Sequence, residues 1–167
     1  MACRHMTRLG DVIELVDSKR EPLSSRERQD RKGPYPYYGA QGIVDYLHDY
    51  TYDGNYLLVA EDGENLKSRK APIANAASGK FRVNNHAHVI AESEKSNIVF
   101  LRHLLNMTDI SAYVTGSTQP KLSQSNLCAL ELSLPSVMEQ NAIANVLNLF
   151  DRKIALNNQL NDYLPVA

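Results

Sequence analysis

The apolar positions of this chain change rhythm several times, and each change predicts an element. Leu9-Gly-Asp-Val-Ile-Glu-Leu-Val16 has helical spacing and predicts a short opening helix. From residue 17 to 34 the rhythm disappears among charges, which predicts a long exposed loop. Loops of that length inside a compact domain are functional or disordered. Tyr35 to Ala40 and Gly42 to Leu47 predict a turn and a strand. Asn55 to Ala60 is a short apolar run ahead of Glu61-Asp62-Gly63, the pattern of a buried strand that ends in a turn. Strands are also expected over Pro72 to Ala77 and Lys80 to Ala91, with Ser78-Gly79 turning between them. Helical periodicity returns from Ile98 to Tyr113, with Ile98, Leu101, Leu104, Leu105 and Ile110 on one face.

Gly116 to Ile154 joins three different pieces. Gly116-Ser-Thr-Gln-Pro-Lys-Leu-Ser123 is a polar loop rich in donors, and Leu127 to Leu134 reads as a short strand closed by Pro135. A helix then opens at Ser136, with Glu139 at capping-box spacing. Its seam of Ile143, Leu147, Phe150 and Ile154 alternates steps of four and three, as coiled coils do, and continues through Asn157 and Asn161. A buried Asn lowers stability but fixes register, so the seam favours a paired helix over one packed only on its own domain. Pro165 should stop the helix.

Length and composition narrow the class. The chain's 167 residues suit one domain with a real core and a long helix added. No apolar run approaches the roughly 18 residues of a membrane span, and no signal peptide is read. Cys3 and Cys128 make neither a disulfide framework nor a zinc pattern, so a reducing cytoplasm is the expected compartment. Met6 is read as the natural start, and the residues before it are left out of the fold argument. The net charge of −1 hides an uneven distribution: Leu66 to Ala91 holds five basic residues and no acidic one. Lys19 to Lys32 holds six basic residues among three acidic ones. These basic stretches are either solvated loops or a local phosphate-binding face.

Candidate chemistry is sparse. Neither an adenosylmethionine loop nor an Asn-Pro-Pro-Tyr-type tetrad occurs, and Glu61 to Lys67 has the wrong spacing for a restriction-type nuclease. No catalytic residue is assigned. His86 and His88 share a face if Asn84 to Ile90 is a strand, but no third metal ligand is evident, which favours a structural or DNA-facing role. Tyr35, Tyr37 and Tyr38 are either half-buried core or hydroxyls presented to a phosphate or base. Thr118, Gln119 and Lys121 supply the donors that nucleic-acid recognition uses.

Several separated motifs occur in an order that resembles one family. Leu9-Gly-Asp-Val, Tyr35-Pro-Tyr-Tyr-Gly-Ala-Gln-Gly-Ile-Val-Asp-Tyr46, Asp53 to Gly63, Asn84-Asn-His-Ala-His-Val89 and Gly116 to Asn158 are similar to type I restriction-modification specificity subunits. The resemblance implies an α/β (α+β) target-recognition domain with a mixed twisted sheet and short helices over residues 8–135. It implies a conserved spacer helix, one arm of a coiled coil, over residues 136–164. In that family two such domains read the halves of a split site, and two helices pair antiparallel. Modification subunits methylate adenine with S-adenosylmethionine, and a motor-nuclease subunit cuts. One domain and one helix make this chain either a half-subunit, which would dimerise, or a fragment.

The expected partners are therefore duplex DNA, modification subunits, through them the restriction motor, and a second copy of the chain, with no membrane and no cofactor bound by the chain itself. Phosphate contacts are expected from Lys19, Arg20, Arg26, Arg28, Lys67, Arg69 and Lys70, and base or groove contacts from Tyr37, Tyr38, Thr118, Gln119 and Lys121. The other reading is an interaction module that docks or inhibits a methyltransferase without touching DNA.

Overall fold

The computed structural model describes residues 5–163. Its strands are β1 (His5–Arg8), β2 (Glu14–Leu15), β3 (Lys32–Gly39), β4 (Gly42–Leu47), β5 (Tyr52–Ala60), β6 (Ala74–Val83), β7 (Ala87–Ala91) and β8 (Glu131–Leu134). The α-helices are α1 (Ser25–Gln29), α2 (Asn65–Ser68), α3 (Ile98–Met107), α4 (Gln124–Ala129) and α5 (Val137–Tyr163). Six strands form one mixed sheet in the order β2-β7-β5-β6-β3-β4, and β1 pairs with β8 in a separate ribbon. The β3–β6 pair is parallel and the other pairs are antiparallel.

The sheet is covered on both faces because β5 is apolar on both. Leu57 and Val59 enter a large core with α3, α4 and the start of α5, while Leu58 enters a second core on the opposite side. That second core is aromatic: Tyr52 stacks on Phe81 at 5.4 Å, and Tyr38 and Tyr56 meet Phe81 edge-on. The Tyr52 hydroxyl donates to the Val16 carbonyl at 2.9 Å, so its one polar atom is satisfied.

Two expectations match well. The run ending at Ala60 is a buried strand, and α5 opens on a capping box in which Ser136 Oγ accepts from Glu139 N–H and Glu139 accepts from Ser136 N–H. Gln140 and Ala144 bury the first turns of α5, and Asn97 N–H donates to Gln140 Oε1 at 3.0 Å. Asp151, paired with Arg102, is the last residue of α5 held against α3, and residues 152–163 are exposed.

Elsewhere the structure corrects the pattern. The opening helix is a 3-10 turn, Leu9–Asp11, followed by β2, because Glu14 and Leu15 find partners on β7. The expected loop from 17 contains a 3-10 turn and α1, whose capping box joins Ser24 and Glu27. Tyr35 to Ala40 is mostly strand, with a register shift around Pro34. Ser78-Gly79 does not turn: Ser78 pairs with Asn55 and Gly79 with Gly54, so β6 runs through, and the turn falls at residues 84–86. Leu127 belongs to α4, capped by Ser123, and only Glu131–Leu134 is strand. The ribbon β1–β8 starts at His5, so one of the residues left out of the fold argument ahead of Met6 takes part in the fold, paired with Leu134. Pro165 lies outside the described residues. Among the described residues no helix is long and apolar enough to cross a membrane.

Candidate nucleic-acid interface

The donor-rich loop is built from its ends inward. Thr115 and Lys121 exchange backbone hydrogen bonds at 2.8 and 2.7 Å and close the loop between them. Gly116 has φ +83°, a left-handed conformation in which a side chain is strained. Behind the loop, the segment after β5 acts as a bracket. Leu122 N–H donates to the Glu61 carbonyl at 2.7 Å, and Gly63 N–H donates to the Pro120 carbonyl at 3.0 Å. Lys67 Nζ donates to the Gly116 and Ser117 carbonyls at 3.0 and 3.2 Å. Thr118 and Gln119 stay exposed, and their side chains have no partner among the described residues.

Charge holds the bracket itself. The Glu61 carboxylate sits between Arg20, at 2.6 Å, and Lys121, at 3.1 Å. Burial alone would push Glu61 up, but these two cations hold it below its ordinary value. Asp17 behaves alike: burial opposes ionisation, and His88 and the Val89 N–H overcome it. His88 is buried, with Nδ1 2.7 Å from Asp17 Oδ2 and Nε2 2.9 Å from the Leu122 carbonyl. His86 instead meets Asp62 at 2.7 Å on the surface, so the two histidines do not form a pair. Among the described residues no group of three metal-ligating side chains occurs.

The expected contact residues thus separate by what they already hold. Lys19, Arg26 and Lys70 are exposed cations with no side-chain partner among the described residues. Arg20 is spent on Asp17, Glu61 and the Ala87 carbonyl. Arg28 donates to Ser25 Oγ and lies 3.7 Å from Asp45. Lys67 and Lys121 fix the loop from behind. Tyr37 is 1% exposed; its hydroxyl donates to the Glu21 carbonyl and accepts from Leu23 N–H, which makes it core. Tyr38 is half-buried, edge-on to Phe81.

Arg69 also serves the fold. It sits at φ +51° after α2, and Nη2 donates toward the carbonyls of Leu105, Asn106 and Thr108 at 2.8–3.1 Å. Those carbonyls end α3, where no intrahelical partner remains. Arg69→Ala should therefore lower unfolding stability by about 1–3 kcal/mol in urea titrations. Lys70→Ala should change it by less than about 0.5 kcal/mol. Equal effects would remove the distinction between the neighbours.

The helix residues divide as well. Ile143, Phe150 and Ile154 are 39%, 63% and 58% exposed, and Asn157 and Asn161 are exposed. Leu147 is half-buried on the side nearer its own domain. Sequence reasoning missed Glu61 as the hub of the loop's support. Its only signal is an acidic residue directly after an apolar strand, and its partners lie 41 and 60 positions away.

Known proteins bear on this geometry. Residues 5–165 match the family described as Type I restriction modification DNA specificity domain. S.HindORF215P of Haemophilus influenzae, assigned as a type I restriction enzyme specificity subunit, is 35% identical over 140 residues, 84% of this chain and 35% of its own length. The EcoprrI specificity subunit of Escherichia coli is 31% identical over 128 residues, 75% of this chain and 30% of its own length. A crystal structure of the type I restriction-modification system S subunit from M. genitalium aligns with a TM-score of 0.70 at 20% identity. That alignment covers 96% of this chain and 44% of the other, and it speaks for the fold. The chain spans about a third of the length of these two curated relatives. A match over nearly the whole described chain places the protein in a family: it belongs to the type I restriction modification DNA specificity domain family.

Proposed function

We propose that this chain reads DNA sequence as the specificity component of a type I restriction-modification complex in the bacterial cytoplasm. In this reading the chain performs no catalysis and binds no cofactor. Modification subunits supply adenine methylation with S-adenosylmethionine, and a motor subunit restricts. The observation that carries the reading is the family match across residues 5–165. Further support comes from the way the chain distributes its polar groups. Lys19, Arg26 and Lys70 remain unspent and suit phosphates, while the braced loop presents Thr118 and Gln119 outward. The exposed seam of α5 is proposed as the surface for a second copy of the chain.

The test is fluorescence anisotropy of a labelled duplex at several salt concentrations. Binding should weaken steeply with salt, because each neutralised phosphate releases counterions. Replacing Lys19, Arg26 and Lys70 together with glutamine should weaken every duplex alike and flatten the log–log slope by roughly 0.9 for each phosphate no longer neutralised. No duplex binding at low salt, with a folded chain, would favour the interaction-module reading.

A further inference from the structure

Three turns that lie far apart in sequence are joined to one another on the surface of the protein. The first is the β3–β4 turn at Ala40-Gln41, the second the β6–β7 turn at residues 84–86, and the third the loop from Gly116 to Pro120. The first two touch: Asn84 N–H donates to the Tyr38 carbonyl at 2.9 Å, and a Cβ on Gly39 would lie 3.2 Å from Asn84 Nδ2. The second and third are joined through the segment after β5. Glu61 N–H donates to the His86 carbonyl at 2.9 Å, Asp62 holds His86 at 2.7 Å and bridges Lys121, and Gly63 N–H reaches the Pro120 carbonyl. The three turns therefore form one continuous edge.

On this edge the side chains have two different roles. Asn84 Oδ1 accepts from His86 N–H at 2.8 Å, and His86, Lys67 and Lys121 are bonded back into the scaffold. These groups stiffen the turns. Gln41, Asn85 and Gln119 are exposed, and their amides bond to nothing among the described residues. The cations of the edge are already paired, so it is poorly suited to phosphate. An amide offers a donor beside an acceptor, the pattern that matches N6 and N7 of adenine in the major groove. A stiff backbone under a free amide also limits the side-chain entropy lost on binding.

Building on the DNA-recognition reading, we infer that Gln41 and Asn85 read base edges together with Gln119, and that this edge selects A·T pairs. Enrichment from a randomised duplex pool, followed by affinity measurements on the enriched and a scrambled duplex, tests it. The wild-type chain should enrich a motif containing A·T pairs. Gln41→Ala and Asn85→Ala should each reduce discrimination roughly five- to 150-fold at one base pair, with affinity for the scrambled duplex unchanged. Asn85→Asp keeps the shape but removes the donor, so preference at that position should move toward cytosine, whose N4 donates. Both positions lie in exposed turns, and matching melting curves for the three variants confirm an intact fold.

Wild-type motif and discrimination in all three variants would overturn the inference while leaving DNA recognition standing. Equal loss on enriched and scrambled duplexes would make the turns a backbone clamp and overturn it too. A wild-type chain that binds no duplex at any salt would remove the underlying reading, and the inference with it.

Discussion

Gly116→Ala is expected to erase discrimination at the base pairs its own loop reads while leaving the core intact. A Cβ at this position would lie 2.2 Å from the Gln119 carbonyl oxygen, a distance backbone atoms must move to relieve. The substitution also forces a side chain into a left-handed conformation at φ +83°, which costs about 1–2 kcal/mol for an L-residue. The loop has one way to yield, since Thr115 and Lys121 are clamped together and Lys67 holds the Gly116 carbonyl. Its tip must change shape, carrying Thr118 and Gln119 away from their positions. A single base-edge hydrogen-bond pair is worth about 1–3 kcal/mol of discrimination, so displacing the loop as a whole should abolish the preference at each base pair that Thr118 and Gln119 read, while Gln41 and Asn85 keep theirs. Melting temperature should fall little, because the loop tip is exposed and buries no core side chain. Discrimination retained at every base pair in Gly116→Ala would remove the loop from base recognition, whatever its effect on affinity.

The parts of this fold legible in sequence are those where one local signal dominates. β5 announces itself because Leu57, Leu58, Val59 and Ala60 are consecutive and apolar, and the sheet is covered on both faces there. The start of α5 is equally plain, since the Ser136–Glu139 box is complete within four residues. Where the structure departs from the pattern, a distant partner outweighs the local preference. Ser78-Gly79 has turn chemistry, but Asn55 and Gly54 lie opposite in β5 and hold it extended. The helical spacing of Leu9 to Val16 yields to Ala91 and Ile90, which recruit Glu14 and Leu15 as an edge strand.

The site is less legible than the fold for the same reason. That Thr118 and Gln119 are outward donors follows from the loop's composition. That Arg20, Tyr37 and Arg69 belong to the scaffold does not. Their partners are a carboxylate 41 residues on, a carbonyl 16 residues back and carbonyls 36 to 39 residues on. A basic residue in a basic stretch looks the same before folding whether it caps a helix or waits for a phosphate. Only the unspent groups, Lys19, Arg26 and Lys70, keep the reading that composition suggests.

Phe150→Asp should abolish the proposed pairing of two α5 helices and leave a monomer. α5 leans on its own domain through Gln140, Ala144 and Asp151, and beyond Asp151 it leaves the domain. Phe150 and Ile154 stand 63% and 58% exposed on the adjacent face, and the same seam ends in Asn157 and Asn161. A helix needing only its own domain has no use for large apolar residues there. A second α5 would cover them and offer amide partners to both asparagines, whose burial without partners costs about 1–3 kcal/mol each. The asparagines thereby discriminate among registers, because a slipped pair would set them against apolar groups. In a two-fold pair every contact occurs twice, so losing Phe150 removes two buried rings and introduces two charges. At roughly 1.5–3 kcal/mol per buried ring, the dissociation constant should rise at least about a hundredfold. Sedimentation equilibrium over a range of concentrations reads this directly: the wild-type mass should climb toward two chains while Phe150→Asp stays at one. Thermal stability of the variant monomer should match the wild type at low concentration, since the ring is exposed in the free chain. A wild-type chain that remains monomeric at every concentration would sink the pairing.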